Sequence, residues 1–336
     1  MKTAKKIIAA LLVFGLLFGF AACGKDTEPE SIASVAEEKA KVNVTTLKGP
    51  TGIGMVKLMQ DDENGNSKND YEFTLASAPD EVSASVLKGE PDIAAVPVNL
   101  AAVLYQKTEG KYVVTGINTL GVLYMLDTTG KINSVADLKG KKIYATGQGS
   151  TPEYILRYVL EKNGINPDKD VTIEFKSEHA ELATLVQSGE AQIALLPEPN
   201  VTTTLLNAQN AKIALNMTDE WNKVSNDGST VVQGCIIAKK EFLDNNKAAY
   251  DKFIKEYRES VDFVNSDLEN ASAAVEKYGI IPKAAVAKKA IPNCNITLVT
   301  GNEMKSKLEP FLNVLYNANN KSVGGKLPDD VFYYIG

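Results

Sequence analysis

Side chains that could carry out catalysis or hold a metal ion are scarce in this chain. It contains one histidine, His179, three cysteines and two arginines, Arg157 and Arg258. The sequence has no His-Glu-x-x-His motif, no Cys-x-x-Cys pair and no histidine cluster, which are the usual frameworks of zinc and thiol chemistry. The residue types therefore favour binding over catalysis, and we expect no enzyme activity, no cofactor and no metal.

Hydroxyl residues next to glycines form the clearest binding pattern. Gly49 precedes Thr51, while Gly149 precedes Ser150 and Thr151, and each group lies between a predicted strand and a predicted helix. Glycine lets the backbone approach a ligand closely, and a helix N-terminus presents unpaired N–H groups. These loops are candidate ligand contacts, although Ser150 also begins a Ser-x-x-Glu pattern that is typical of a helix-capping box.

Four other residues are candidate ligand contacts. Asn99 and Glu198 follow predicted strands. His179 opens a predicted helix, and Trp221 stands in a polar stretch. A carboxylate could accept hydrogen bonds from an amino group or a cationic ring, and an indole could stack on a flat ligand. The alternatives are a solvated glutamate in a turn, a histidine with local hydrogen bonds only, and a tryptophan that belongs to the core.

The elements that position these residues occur twice in the chain. When residues 46–97 are compared with residues 146–197, thirteen of the 52 pairs are identical, which indicates an internal repeat. Each copy predicts the order strand, helix, strand, helix, strand, typical of a parallel α/β layer with right-handed crossovers. The predicted strands are Val42–Thr46, Tyr71–Leu75 and Ile93–Val96 in the first copy, and Lys142–Thr146, Val171–Phe175 and Ile193–Leu196 in the second.

Two similar α/β units predict a protein of two lobes. Residues 42–117 and about 240–336 are assigned to lobe 1, and residues 118–239 to lobe 2. Two extended segments, Val113–Leu126 and Thr230–Ala238, are expected to pass between the lobes as a two-stranded hinge. Open α/β sheets bind ligands beyond the carboxyl ends of their strands. We therefore expect the candidate residues of both lobes to face one cleft.

The N-terminus has the pattern of a targeting segment. A basic start precedes an apolar run from Ile7 to Ala22, shorter than the about 20 residues that a membrane-spanning helix needs. Residues 1–22 are predicted to be a signal peptide. The small residues before Cys23 resemble the lipobox of bacterial lipoproteins, in which the cysteine is lipidated, and residues 23–41 are predicted to be a flexible tether. An ordinary secretory signal and an uncleaved anchor are the alternatives.

Charge and compartment limit the remaining chemistry. The net charge is −6, and no Lys/Arg cluster is interleaved with aromatic residues. A nucleic-acid-binding protein needs a basic surface, so we expect no nucleic acid partner and membrane contact through the lipid only. Cys235 and Cys294 could form a disulfide outside the cell, and the sequence leaves that open.

Three segments resemble one protein family. Ser134–Ile165 resembles the second-lobe opening of type II periplasmic-binding-fold proteins, in particular the nitrate/sulfonate/taurine, SsuA-like group of ABC transporter solute-binding proteins. Leu87–Pro97 and Val186–Pro199 resemble the helix–Gly-Glu–strand segments of that group. The likeness covers about 45–300, and it implies an α/β fold of two lobes joined by a two-stranded hinge.

The resemblance implies capture of a small solute for import. A monomeric, lipid-anchored protein on the outer face of the cytoplasmic membrane would close on the solute and deliver it to an ABC permease and its ATPase. Hydroxyls and helix N-termini fit a sulfonate or another oxyanion, while Glu198 and scattered aromatic residues fit a thiamine-precursor-like nitrogen heterocycle. The enzymes of this fold that make a pyrimidine precursor use histidine-rich sites, which this chain lacks. A surface module that feeds a sensor without transport is the alternative.

Overall fold

Helices and strands alternate along most of the chain. The structure is a computed structural model that describes residues 38–336. Within that range the strands are β1 (Lys41–Leu47), β2 (Asp70–Ala76), β3 (Ile93–Pro97), β4 (Tyr112–Leu120), β5 (Leu123–Asp127), β6 (Lys142–Thr146), β7 (Thr172–Lys176), β8 (Ile193–Pro197), β9 (Lys212–Asn216), β10 (Val232–Lys239) and β11 (Ile296–Val299).

The helices of the described range are α1 (Pro50–Ile53), α2 (Val56–Glu63), α3 (Pro79–Lys88), α4 (Val98–Lys107), α5 (Thr151–Lys162), α6 (His179–Gln187), α7 (Asn200–Asn207), α8 (Met217–Val224), α9 (Lys240–Asn245), α10 (Lys247–Ser266), α11 (Leu268–Lys277), α12 (Ala284–Ala290) and α13 (Gly301–Ala318). Short 3-10 helices lie at Val135–Leu138, Ile291–Asn293, Asn320–Val323 and Asp330–Phe332. None of the helices in residues 38–336 is long and apolar enough to cross a membrane. The predicted signal peptide, the lipidation site Cys23 and the tether up to residue 37 lie outside the described residues.

Two sheets share one strand arrangement. Their orders are β2-β1-β3-β10-β4-β11 and β7-β6-β8-β5-β9. The three strands of each repeat lie side by side in parallel, and an antiparallel strand follows them, β10 in the first sheet and β5 in the second. The predicted α/β fold with a parallel layer in each lobe is confirmed.

The sequence repeat is also a structural repeat. β3 and β8 occupy Ile93–Pro97 and Ile193–Pro197, which are positions 100 residues apart, and both are buried up to the final proline. Strands that lie between neighbours in a sheet covered by helices are expected to be apolar along their whole length. The helices that precede them, α3 and α6, begin 100 residues apart, at Pro79 and His179.

The chain crosses between the two sheets twice. β4 belongs to the first sheet as far as Leu120, and β5 belongs to the second from Leu123. The return follows α8, and β10 is paired along its length with β3 and β4. Because backbone pairing continues to the strand ends, we propose lobe bounds of 39–120 with 232–336 for lobe 1 and 121–231 for lobe 2. They differ by a few residues from the bounds predicted from the sequence, 42–117 with about 240–336 and 118–239, and β1 begins at Lys41, the last residue assigned to the tether.

Candidate ligand-binding site

The turn after the first strand of each lobe depends on a glycine. Gly49 follows β1 with φ 85°, and Gly149 lies between β6 and α5 with φ 72°. This left-handed region strains residues that carry a Cβ atom, so glycine is favoured there. Gly49 is the residue before α1, while Gly149 precedes the N-cap of α5. Both candidate loops therefore contain a glycine with positive φ, which lies one position closer to the helix in lobe 1 than in lobe 2.

Ser150 does not form the predicted capping box. It occupies the N-cap position of α5, but its Oγ donates a hydrogen bond to the Gly147 carbonyl at 2.6 Å, and α5 receives no side-chain cap. The Glu153 carboxylate instead accepts from the Gly149 N–H at 2.7 Å and from Arg157 Nε at 2.6 Å. A helix start without a side-chain cap leaves N–H groups of its first turn for other acceptors.

A second helix of lobe 1, α2, donates its first N–H groups to a distant side chain. The N–H groups of Lys57 and Leu58, in the first turn of α2, donate to Ser260 Oγ at 3.1 and 3.4 Å. Ser260 lies on α10 and is fully buried. The counterpart of the α5 start in the repeat is α1, which also has no side-chain cap.

Two lobe 1 candidates lie at the carboxyl ends of β1 and β3. Thr51 is in α1 and buried, and its carbonyl accepts hydrogen bonds from Asn118 Nδ2 at 3.1 Å and from Thr46 Oγ1 at 3.4 Å. Asn99 is half-buried in the first turn of α4, directly after β3. Both lie at the sheet edge where an open α/β sheet binds its ligand.

His179 connects the start of α6 with the end of β6 in lobe 2. It begins α6, and its Nδ1 lies 2.8 Å from Oγ1 of Thr146, the last residue of β6. Burial lowers the pKa of His179 below its usual value, against a smaller opposing effect of Glu178. The ring is therefore held in its neutral form and can exchange a hydrogen bond with a buried hydroxyl at the edge of the site.

Glu198 is neither solvated nor free to bind a solute. The side chain is only 2% exposed. One carboxylate oxygen accepts from the Thr202 N–H at 3.1 Å, and the other accepts from Thr202 Oγ1 at 3.0 Å and from Asn293 Nδ2 at 3.2 Å. Burial raises the pKa of Glu198, while these hydrogen bonds oppose the rise. Because Asn293 lies after β10, Glu198 joins the C-terminal segment to α7, and this contact favours a structural role over the predicted solute contact.

Trp221 belongs to the core. It is fully buried, its ring centroid lies 3.9 Å from that of Tyr158 on α5, and it meets Phe311 on α13 edge-on at 5.4 Å. Its indole N–H donates to Ser229 Oγ at 3.0 Å. A ring packed on both sides has no free face for a solute in this conformation, which favours the alternative that Trp221 belongs to the core. The signal lies in the spacing of Met217 and Trp221, four residues apart on the buried face of α8.

The cysteines and acidic residues of the described range form neither a disulfide nor a metal-binding cluster. Cys235 and Cys294 are both free and buried, so the disulfide left open by the sequence is not formed. Burial raises the pKa of both thiols. Among residues 38–336, no three or more His, Cys, Asp or Glu side chains gather to hold a metal ion.

A groove between the lobes was not apparent from the sequence. It lies between α5 and the end of α13 and has a volume of about 860 Å³. At one end Asn319 Nδ2 donates to Tyr154 Oη at 3.0 Å, and the Tyr154 hydroxyl donates to the Gly149 carbonyl at 2.8 Å. Arg157 lines it but is paired with Glu153 and Asp168. Asn319 and Tyr154 are 165 residues apart along the chain, so no local sequence pattern predicts their contact.

Two similar α/β lobes whose candidate loops lie at strand carboxyl ends define a clamp-type binding protein. Residues 67–231 match the family model described as ABC transporter, phosphonate, periplasmic substrate-binding protein. No curated protein matches the chain in sequence. The predicted resemblance to ABC transporter solute-binding proteins is thereby confirmed for this part of the chain.

Solved structures share the fold. An ABC transporter protein from Parabacteroides distasonis is 24% identical with a TM-score of 0.74, covering 88% of this chain and 99% of its own. The periplasmic aliphatic sulphonate binding protein SsuA from Escherichia coli is 16% identical with a TM-score of 0.68, covering 87% and 93%. The periplasmic nitrate-binding protein NrtA from Synechocystis is 13% identical with a TM-score of 0.55, covering 85% and 84%.

Proposed function

We propose that this protein captures a small organic solute with an oxyanion group and delivers it to an ABC permease and its ATPase. The solute would lie between the loops after β1 and β3 of lobe 1 and those after β6 and β7 of lobe 2. Gly49, Thr51 and Asn99 would contact it from lobe 1, and Gly149, Ser150, Thr151 and His179 from lobe 2. The protein itself would carry out no reaction.

The observation that carries this proposal is the uncapped start of α5. Its first turn receives no side-chain cap, and the same holds for α1, its counterpart in lobe 1. Two hydroxyls, those of Ser150 and Thr151, lie at the same place. Helix N-termini attract anions through their N–H groups and the helix dipole. We infer that lobe 2 holds the oxyanion and that lobe 1 closes over it.

The class of solute follows from the same geometry. The case for a nitrogen heterocycle depended on Glu198 and the aromatic residues, yet Glu198 is bonded to Thr202 and Asn293 and Trp221 is buried. The matching family model is described as phosphonate-binding, and solved relatives of the fold are described as sulphonate- and nitrate-binding. These observations support a phosphonate or sulfonate over a heterocycle.

A binding screen followed by paired variants tests the proposal. The signal-free protein is mixed with methylphosphonate, ethanesulfonate, nitrate and a hydroxymethylpyrimidine, and its unfolding temperature is recorded. A ligand at about 100 times its dissociation constant stabilises the folded state by about 2.7 kcal/mol. Stabilisation by the pyrimidine alone would refute the oxyanion class and favour the heterocycle.

Ser150→Ala then tests the site by calorimetry. Ser306→Ala is the matched control, because Ser306 Oγ also donates to a carbonyl three residues earlier, Glu303, but lies on α13. Loss of one hydroxyl should weaken binding by about 0.5–1.5 kcal/mol, and by more for an anionic acceptor. Equal affinity of the two variants would contradict the site. If Thr51→Ala weakens binding as much as Ser150→Ala, both lobes hold the solute.

Closure of the lobes is a separate consequence. Only the closed form touches the solute with both lobes, so the solute should shift the population toward it. Small-angle scattering should give a smaller radius of gyration with saturating solute. An unchanged profile at saturation would count against a clamp.

The anchor and the delivery step belong to the same proposal. Cys23→Ser should leave an unprocessed precursor or release the protein into the medium, and a membrane-bound, normally processed variant would contradict lipidation. Cells that lack the protein should lose high-affinity uptake of the solute found in the screen. Unchanged uptake together with a lost transcriptional response would favour the alternative of a sensor module.

A further inference from the structure

A buried cluster connects the Thr51 loop with β4 and β10, the two strands next to the points where the chain crosses between the sheets. Asn118, on β4, is 1% exposed. Its Nδ2 donates to the Thr51 carbonyl at 3.1 Å, and its Oδ1 accepts from Thr119 Oγ1 at 3.3 Å. The Asn118 side chain thus donates a hydrogen bond to the candidate site loop and accepts one from its own strand.

Gly234 leaves the space that this contact needs. It lies on β10, opposite Pro97 of β3 and Thr119 of β4. A Cβ atom added to Gly234 would lie 2.7 Å from Asn118 Oδ1 and 3.1 Å from the Thr51 methyl group. Any larger residue at 234 would therefore displace Asn118 or Thr51.

The other end of α1 is packed with similar tightness. A Cβ atom added to Gly54, directly after α1, would lie 2.3 Å from the Tyr257 hydroxyl. That hydroxyl is buried on α10. Burial raises the pKa of Tyr257, and an interaction with the Asn118 side chain opposes the rise. The Tyr257 hydroxyl packs against the backbone of Gly54 and so supports the C-terminal end of α1.

We propose that Asn118 is a positioning residue, which holds the Thr51 loop in its binding orientation and fastens it to β10 through the close approach at Gly234. The proposal rests on the proposed function, because it assigns the Thr51 loop to the solute site. Asn118 itself is buried beneath Thr51 and acts through it. Movement of β10 at the crossing would then be transmitted to the site loop through this cluster.

Hydrogen exchange without solute tests the positioning directly. The amides of Gly52 and Met55 are bonded within the loop, to the carbonyls of Gly49 and Gly52 at 3.0 Å each. Asn118→Ala should speed their exchange by about tenfold, the effect of one lost hydrogen bond on local opening. Asn69→Ala is the control, since Asn69 is also fully buried and its Nδ2 also donates to a carbonyl, that of Ala249. It should leave Gly52 and Met55 unchanged.

A second variant covers the case in which Asn118→Ala fails to fold. Gly234→Ala keeps Asn118 but crowds both its Oδ1 and the Thr51 methyl group, and the same amides should exchange faster. Unchanged exchange at Gly52 and Met55 in the folded variants, relative to Asn69→Ala, would overturn the proposal.

Binding of methylphosphonate separates the two proposals. If the wild type binds it, Asn118→Ala should weaken binding by about five- to tenfold while Asn69→Ala does not; equal affinity of the two would overturn the positioning role. If the wild type binds neither methylphosphonate nor ethanesulfonate, the proposed solute class fails, and the exchange result still decides whether Asn118 holds the loop.

Discussion

The carboxylate of Glu198 offers a sharp test of how the lobes are joined. Alanine at this position would leave three donors without their acceptor, Thr202 N–H, Thr202 O–H and Asn293 Nδ2. Loss of the acceptor at the first turn of α7 is equivalent to loss of a cap and costs about 1 kcal/mol. A buried donor left unpaired costs about 1–3 kcal/mol more. We expect Glu198→Ala to lower the free energy of unfolding by about 2–4 kcal/mol.

A glutamine at position 198 separates the effect of side-chain shape on stability from the effect of charge. Glu198→Gln keeps the volume and one acceptor oxygen but removes the ionisation. Burial raises the pKa of Glu198 above its ordinary value of 4.5, so the folded protein holds the proton more tightly than the unfolded chain. Wild-type stability should therefore fall as the pH rises from the ordinary pKa through the raised one. The glutamine variant lacks this dependence, so it should gain stability relative to the wild type over that range.

Urea denaturation of both proteins between about pH 4 and pH 8 measures this difference. Glu161→Gln, an exposed glutamate near the end of α5, controls for the general loss of one negative charge. A stability of Glu198→Gln that falls relative to the wild type with rising pH would refute the reasoning. It would mean that the hydrogen bonds from Thr202 and Asn293 outweigh burial and lower the pKa.

Three further outcomes are expected. The NMR signal of His179, the single histidine, should titrate below the ordinary 6.5 because burial lowers its pKa, and its share of stability should be lost as the pH falls toward that pKa; titration at or above 6.5 would contradict this. Trp221, the single tryptophan, should show the emission of a buried indole that iodide does not quench, and Trp221→Phe should cost about 1–3 kcal/mol. Cys235 and Cys294 should react with a thiol reagent only after unfolding, and reaction of either thiol in the native protein would contradict their burial.

Local patterns predict the framework of this protein because the relevant forces are local. β6 is found at the predicted residues, Lys142–Thr146, and β3 and β8 each extend the predicted strand by one residue, to the proline. An apolar run ended by proline carries this information within a few residues. The two extended segments also predict that the chain crosses between the two sheets. Strand pairing indicates lobe bounds a few residues from the predicted ones.

The site was harder to predict because its decisive contacts are distant in sequence. Ser260 caps α2 across 203 residues, and Asn293 reaches Glu198 across 95. Neither residue stands in a pattern that indicates its role. The Ser-x-x-Glu pattern at Ser150 was a misleading local signal, since Ser150 Oγ bonds back to Gly147 and Glu153 turns to Gly149 and Arg157.

The long C-terminal segment explains how a duplicated framework yields unequal lobes. Residues after β10 supply Ser260 to the start of α2, Asn293 to Glu198, Phe311 to Trp221 and Asn319 to Tyr154. The first of these contacts joins α10 to α2 within lobe 1, and the other three fasten lobe 2 to lobe 1. Because the segment reaches α2 through Ser260 and the first turn of α5 through Asn319, it adds different side chains to the two copies of the repeat. We infer that this addition contributes to the difference between the lobes.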